Sequence, residues 1–266
     1  MPDTYSFGWK PDPPDHRDLA FSAPLLQQPS LPPKVDLRPQ CPAVYDQGHI
    51  GSCTANAIAA AIQFQRSAEK HDPDFVPSRL FIYYNERVIE QTVPYDAGAQ
   101  IRDGIKSVNK LGVPPEEDWP YSDAGYPPDP SDTRFQPDAP AAKKPPEEVY
   151  ETATQYLVSS YARVGQLLPQ LKGCLAAGRP FVFGFSVYEN FFDSNNKPTI
   201  TTPMPSGSVM GGHAVTAVGY DDSSSTFIVR NSWGATNQDK GYFYMPYAYV
   251  TEPTLCSDFW TITMAE

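Results

Sequence analysis

The stretch DQGHIGSCTANAIAAAIQ, residues 46–63, sets a glycine-punctuated turn against an alanine-rich run, with one cysteine, Cys53, at the junction. Alanine has the highest helix propensity, and Ile58, Ala61, Ile62 and Gln65 share one face at helical spacing. A helix is therefore expected from Cys53 to about Lys70. A thiol at its N-terminus feels the positive end of the macrodipole, which favours thiolate, the nucleophilic form. An isolated cysteine is more commonly a small buried hydrophobe, so the nucleophile reading needs partners elsewhere in the chain.

Two later stretches supply them. In MGGHAVTAVGYDD, residues 210–222, His213 opens a strand behind Gly211 and Gly212, which permit close backbone approach. In VRNSWG, residues 229–234, Asn231 ends another strand and Trp233 follows. An amide can fix the tautomer of an imidazole, and an indole can shield that hydrogen bond from water.

Taken jointly, VDLR at 35–38, QG at 47–48, GSC at 51–53, GHAV at 212–215 and NSWG at 231–234 resemble the papain-like cysteine peptidases, in that family's order. His213 and Asn231 follow Cys53 by 160 and 178 residues, beyond the roughly 130–150 usual for the family. A proline-rich stretch between them accounts for the excess.

The resemblance implies an α+β fold, with a mainly helical lobe, an antiparallel β-barrel-like lobe and a cleft between them. It also implies roles. Cys53 would be the nucleophile, with a depressed thiol pKa. His213 would stabilise the thiolate and then protonate the leaving amine, and Asn231 would orient the ring. Gln47, six residues before Cys53, would donate its side-chain amide to the oxyanion together with the Cys53 N–H. Protein or peptide substrates follow, cleaved by an endopeptidase. An exopeptidase stays open if part of the cleft is blocked. A transglutaminase-like acyl transferase is the first alternative, although its third member is typically aspartate. A non-catalytic peptide-binding relative is the second, and intact Cys53, His213, Asn231 and Gln47 speak against it.

The chain departs from the family in three places. Ile50 and Thr54 replace a cysteine and an aromatic around GSC. The glycine pair that meets substrate backbone is reduced to DAGA, residues 96–99, leaving Gly98 as the binding candidate beside Gly212 and Trp233, with a turn glycine as its alternative. In place of a long helical propeptide stands the short arm YSFGWKPDPPDHRDLAF, residues 5–21, like the N-terminal segments of some bacterial relatives. Residues 1–33 are expected to dock near or across the cleft through Phe7, Trp9 and Phe21 and to limit substrate entry; a plain surface patch is the alternative.

Composition narrows the classes further. A net charge of −11 and a pI near 4.8 exclude a phosphate-binding stripe, so nucleic acid is not expected as a partner. The acidic surface would at most speed encounter with basic peptides. No apolar run approaches the roughly 20 residues of a membrane span. No cysteine or histidine pair has zinc-ligand spacing, and neither metal nor cofactor is expected. The N-terminus has no apolar core of a signal peptide, which leaves a cytoplasmic protein or one secreted after signal removal. If Cys53 stays free, Cys41, Cys174 and Cys256 allow at most one disulfide without a leftover. A monomer is expected.

Three segments follow from patterning: a proline-rich arm over 1–34, a mainly helical lobe over 35–117 and a mainly β lobe over 118–266. An irregular surface excursion at about 122–147 interrupts the last. Ser78 reads as an N-cap, Gly112 as a helix stop, and QLLPQLKGCLAAG, residues 166–178, as a helix kinked at Pro169. Strands are expected in FVFGFSVY, HAVTAVGYD, TFIVRNSW, GYFYMP and SDFWTITM.

Overall fold

A computed structural model describes residues 5–21, 31–71, 73–127, 129 and 132–264. Helix α1 (Cys53–Ala68) begins at the cysteine, as its alanine run requires, but residues Cys53–Arg66 are all buried, not just one face. It lies between two layers, packed by helices on one side and by the sheet on the other, and small side chains allow both approaches. Helix α2 (Arg79–Ile89) is capped by Ser78, whose Oγ accepts from the Phe81 N–H at 3.2 Å. Helix α3 (Ile101–Leu111) stops at Gly112, whose φ of 76° a side chain would resist. Helix α4 (Glu147–Ala153) packs through Val149 and Ala153 on Phe81 of α2.

Helix α5 (Leu168–Ala176) corrects the expected kink. Pro169 lies in its first turn, where the missing N–H is no loss, so proline starts the helix instead of bending it. A single turn, α6 (Tyr247–Val250), completes the helices.

The strands are β1 (Ala20–Phe21), β2 (Lys34–Asp36), β3 (Val158–Val164), β4 (Phe181–Tyr188), β5 (Val209–Asp221), β6 (Thr226–Arg230), β7 (Tyr242–Pro246) and β8 (Cys256–Met264). They form one sheet in the order β1-β3-β8-β4-β5-β6-β7, with β2 on β5. Only β1 and β3 pair in parallel, so the sheet is mixed. The architecture is α+β and papain-like, but the sheet is open: the two-residue β1 and β7 stand at its ends and do not meet. Because β2 precedes α1 and still pairs β5, the helical segment is inserted between strands of one sheet.

Phe181, Phe183, Phe185, Phe227 and Phe243 fill the sheet-side core, and burying each such ring contributes on the order of 2 kcal/mol. The excursion at 122–147 is tied down: Phe135, Ala139 and Ala141 enter the helix-side core, and Asp123 Oδ2 lies 2.7 Å from His49 Nδ1. All four cysteines are free thiols. Of the arm, residues 1–4 and 22–30 lie outside the described residues. Phe21 pairs with Val164 of β3 and packs against the sheet-side core.

Candidate active site

Two loops meet because their backbones pair. The Gln47 N–H donates to Ser232 O at 2.8 Å, the Gly234 N–H to Tyr45 O at 2.9 Å, and Asp46 bridges Trp233. This ladder brings QG and NSWG side by side, 185 residues apart in the chain. Ser232 Oγ then donates to Gln47 Oε1 at 2.7 Å, which leaves the Gln47 amide nitrogen pointing into the cleft.

His213 lies on β5 and Asn231 just beyond β6. His213 Nε2 and Asn231 Oδ1 are 2.8 Å apart. Asn231 Oδ1 also accepts from the Ser232 N–H, and Asn231 Nδ2 donates to Gln238 Oε1, both at 2.8 Å. That network makes Oδ1 the acceptor and places the imidazole proton on Nε2. His213 Nδ1, fully buried and without a hydrogen-bond partner among the described residues, is left as the free base. Trp233 stacks on the ring with centroids 4.5 Å apart. Opposite, Cys53 opens α1 at its positive end, and its Sγ accepts from the Ala214 N–H at 3.4 Å.

The arm lies between these walls. Gly8 and Trp9 donate their N–H groups to Gly212 O at 3.1 and 3.0 Å. Ala99 N–H donates to Gly8 O at 2.7 Å and Ala99 O accepts from the Lys10 N–H at 3.0 Å, a parallel bridge. Gln47 Nε2 donates to the Ser6 carbonyl at 3.2 Å. Tyr5 packs on Trp233 at 4.5 Å, and Phe7 meets Trp233 and His213 edge-on. The Trp9 indole fills a slot left by Gly184 and Gly212 and donates from Nε1 to Asp258 Oδ2 at 3.1 Å.

This burial shifts both groups of the site toward their neutral forms. It pushes the Cys53 thiol up to about 12, against the pull of N–H groups from Ala214, Gly8 and Thr54. It also pulls His213 down to about 4, against the Asn231 bond. With the arm docked, burial favours the neutral thiol and the neutral imidazole, whereas the resemblance implies an ion pair.

Cys53, His213, Asn231, Gln47, Gly212 and Trp233 thus come together. Gly98 comes close without bonding the arm: its φ of 64° allows Gly8 to pass against it, and its N–H goes to Tyr83 Oη at 3.2 Å. The paired backbone belongs to Ala99, which sequence reasoning missed because a backbone donor leaves no side-chain signal. Ser232 and Gln238 were missed too, although Ser232 sits inside NSWG. Thr54, in the place of the family's aromatic, donates to the buried Glu86 at 2.9 Å. Among the described residues no group of three or more His, Cys, Asp and Glu side chains is arranged to hold a metal ion, and no helix is long and apolar enough to cross a membrane.

A thiol at a helix N-terminus, facing an amide-held imidazole across a cleft between helices and sheet, is the layout of a thiol hydrolase. The profile of the papain family cysteine proteases matches residues 31–256. An uncharacterised peptidase C1-like protein of Acanthamoeba polyphaga mimivirus is 40% identical over 283 residues, covering 97% of this chain and 86% of the relative. The crystal structure of xylellain, a cysteine protease from Xylella fastidiosa, superposes with a TM-score of 0.93 at 50% identity, over 100% of this chain and 98% of that one. Procathepsin B from Trypanosoma congolense, at 18% identity and a TM-score of 0.72 over 97% and 86% of the two chains, shares the fold. The chain belongs to the papain family of cysteine proteases. It is a cysteine-type peptidase, a hydrolase acting on peptides.

Proposed function

We propose that the protein is an endopeptidase in which Cys53 attacks the scissile carbonyl, His213 takes the thiol proton at Nδ1 and passes it to the leaving amine, and Asn231 holds the ring. Gln47 Nε2 and the Cys53 N–H stabilise the oxyanion. The observation that carries this reading is Gln47 Nε2 on Ser6 O at 3.2 Å: the side chain already holds a peptide carbonyl of the arm. The enzyme acts as a monomer in this reading, since one chain supplies both walls of the cleft.

The arm is the restraint. His213 and Trp233 flank Tyr5 and Phe7, so the leaving group departs on that side and the acyl part lies along Ala99, where Trp9 to Asp12 run. A substrate then runs opposite to the arm. What the arm offers the thiol is the Gly8 N–H, not a carbonyl carbon, which explains how it can fill the cleft uncut.

Hydrolysis of a pool of fluorogenic peptides with dithiothreitol tests both parts, comparing the full chain with Cys53→Ala and Trp9→Ala. The expected result is cleavage lost in Cys53→Ala and increased in Trp9→Ala. Cleavage that survives Cys53→Ala would overturn the nucleophile, and unchanged turnover in Trp9→Ala would overturn the restraint.

A further inference from the structure

Beyond the thiol, the arm ends in a charged cluster that backbone docking does not require. Arg102 of α3 grips Asp18 with two parallel bonds, Nε to Oδ1 at 3.1 Å and Nη2 to Oδ2 at 2.6 Å. Arg163 of β3 reaches Asp18 Oδ2 from Nε and Asp12 Oδ2 from Nη2, both at 3.0 Å. Trp260 of β8 lies beneath, its ring centroid 4.6 Å from the Arg163 guanidinium and 5.9 Å from that of Arg102. Its Nε1 donates to Asp12 Oδ2 at 2.9 Å. The helical side and the sheet thus each contribute one guanidinium to a common floor.

The balance of charge changes when the arm leaves. Docked, Asp12, Asp18 and Asp258 face Arg102 and Arg163. With the arm gone, Asp258, 3.4 Å from Arg163 Nη1, is the only carboxylate among the described residues still within ion-pair distance of either guanidinium. Arginine stays charged at any working pH, and a bidentate carboxylate is its best partner. With the arm docked, Arg102 is 3% exposed and Arg163 30%, so its departure opens both guanidiniums to a substrate. A local positive site is thereby uncovered on a chain whose net charge is −11.

We propose that Arg102 and Arg163, floored by Trp260, form a substrate subsite for acidic side chains, which Asp12 and Asp18 occupy while the arm is docked. The inference rests on the endopeptidase reading above. Gly8 lies at the thiol and Asp12 is four residues further along the arm, about 13 Å of extended chain. On the acyl side this corresponds to a substrate residue four to five positions before the scissile bond. Aspartate or glutamate there replaces the arm's carboxylates; a cationic side chain adds a third positive charge to the pair.

The test uses the full-length chain carrying Asp12→Asn and Asp18→Asn, which removes the arm's two carboxylates from the site and leaves both arginines in place. Pairs of fluorogenic peptides differ only in Asp against Asn at four and five residues before the cleaved bond. The acidic member should show roughly tenfold higher kcat/KM, chiefly through KM, as expected for a charge-assisted hydrogen bond. The preference should shrink in high salt, disappear in Arg102→Gln and Arg163→Gln, and return in part in Arg163→Lys. A ratio of one, or a preference that persists without the arginines, would reduce the pair to a latch for the arm and overturn the subsite. Should the glutamine variants fail to fold, the ratio and its salt dependence in the aspartate-substituted chain still decide. If neither peptide is cut and Cys53 also resists a vinyl sulfone, the peptidase reading fails first and the subsite with it.

Discussion

Ser232 Oγ donates to Gln47 Oε1 across 2.7 Å, so the residue next to Asn231 aims the amide proposed to serve the oxyanion. Imidazole and oxyanion donor are therefore oriented from one turn of chain. Gln47→Ala should lower kcat about 100-fold or more, the usual loss for one oxyanion donor. Ser232→Ala removes one orienting bond of about 1 kcal/mol and should lower kcat roughly fivefold, with KM little changed. Steady-state kinetics on an arm-weakened chain decide this; a loss confined to KM would place Gln47 in ground-state binding.

The Trp9 slot exists because Gly184 lacks a side chain: a Cβ there would run into the indole. Its φ is not in the left-handed region, so alanine is tolerated by the backbone. Gly184→Ala should cost arm docking about 1.4 kcal/mol by overpacking, hence about tenfold faster alkylation of Cys53 by iodoacetamide at pH 7. Unchanged alkylation would mean that Trp9 contributes little to closure.

Two groups titrate against each other. His213, near 4 instead of 6.5, takes up a proton only on unfolding or release. Its contribution is present above 6.5 and is lost as pH falls toward 4. Asp12 is raised from 3.8 to about 6, first by burial and then by Asp258. Its contribution is full below 3.8 and is lost as pH rises through 6. Asn at position 12 does not titrate. The Tm of Asp12→Asn relative to the unsubstituted chain should therefore fall by several degrees between pH 7 and pH 4, since two pKa units correspond to on the order of 2 kcal/mol. A Tm difference that is flat with pH would remove Asp12 as a titrating group.

How much of this was legible follows from where each signal sits. Cys53, Gln47, His213 and Asn231 lie inside short contiguous motifs whose order resembles one family, and that resemblance implied the cleft. The helix signals at Ser78 and Gly112 are local and gave the ends of α2 and α3. Pro169 was ambiguous because the same residue bends a helix interior and starts a first turn. Strand β3, VSSYARV, was missed because Ser159 and Ser160 break the apolar alternation near the edge of the sheet. The Arg102–Asp18 clamp joins positions 84 residues apart with no motif around either, so only tertiary structure could unite them. The same holds for Ala99, whose contribution is its backbone.

Glu86 is the last buried group with a measurable consequence. It is fully enclosed beneath α1; Oε2 accepts from Thr54 Oγ1 at 2.9 Å and Oε1 has no partner among the described residues. Burial holds its carboxyl well above the ordinary range, which favours the neutral acid. A raised carboxyl contributes stability in full below its unfolded value and loses it as pH rises through the folded one. Glu86→Gln keeps the shape and removes the titration, but leaves an amide N–H where Oε1 found no partner. That defect costs about 1–3 kcal/mol at every pH. The informative quantity is therefore the change in the Tm difference between pH 5 and pH 9. The variant should gain on the unsubstituted chain as pH rises, and a difference that stays constant would mean that Glu86 is ionised throughout.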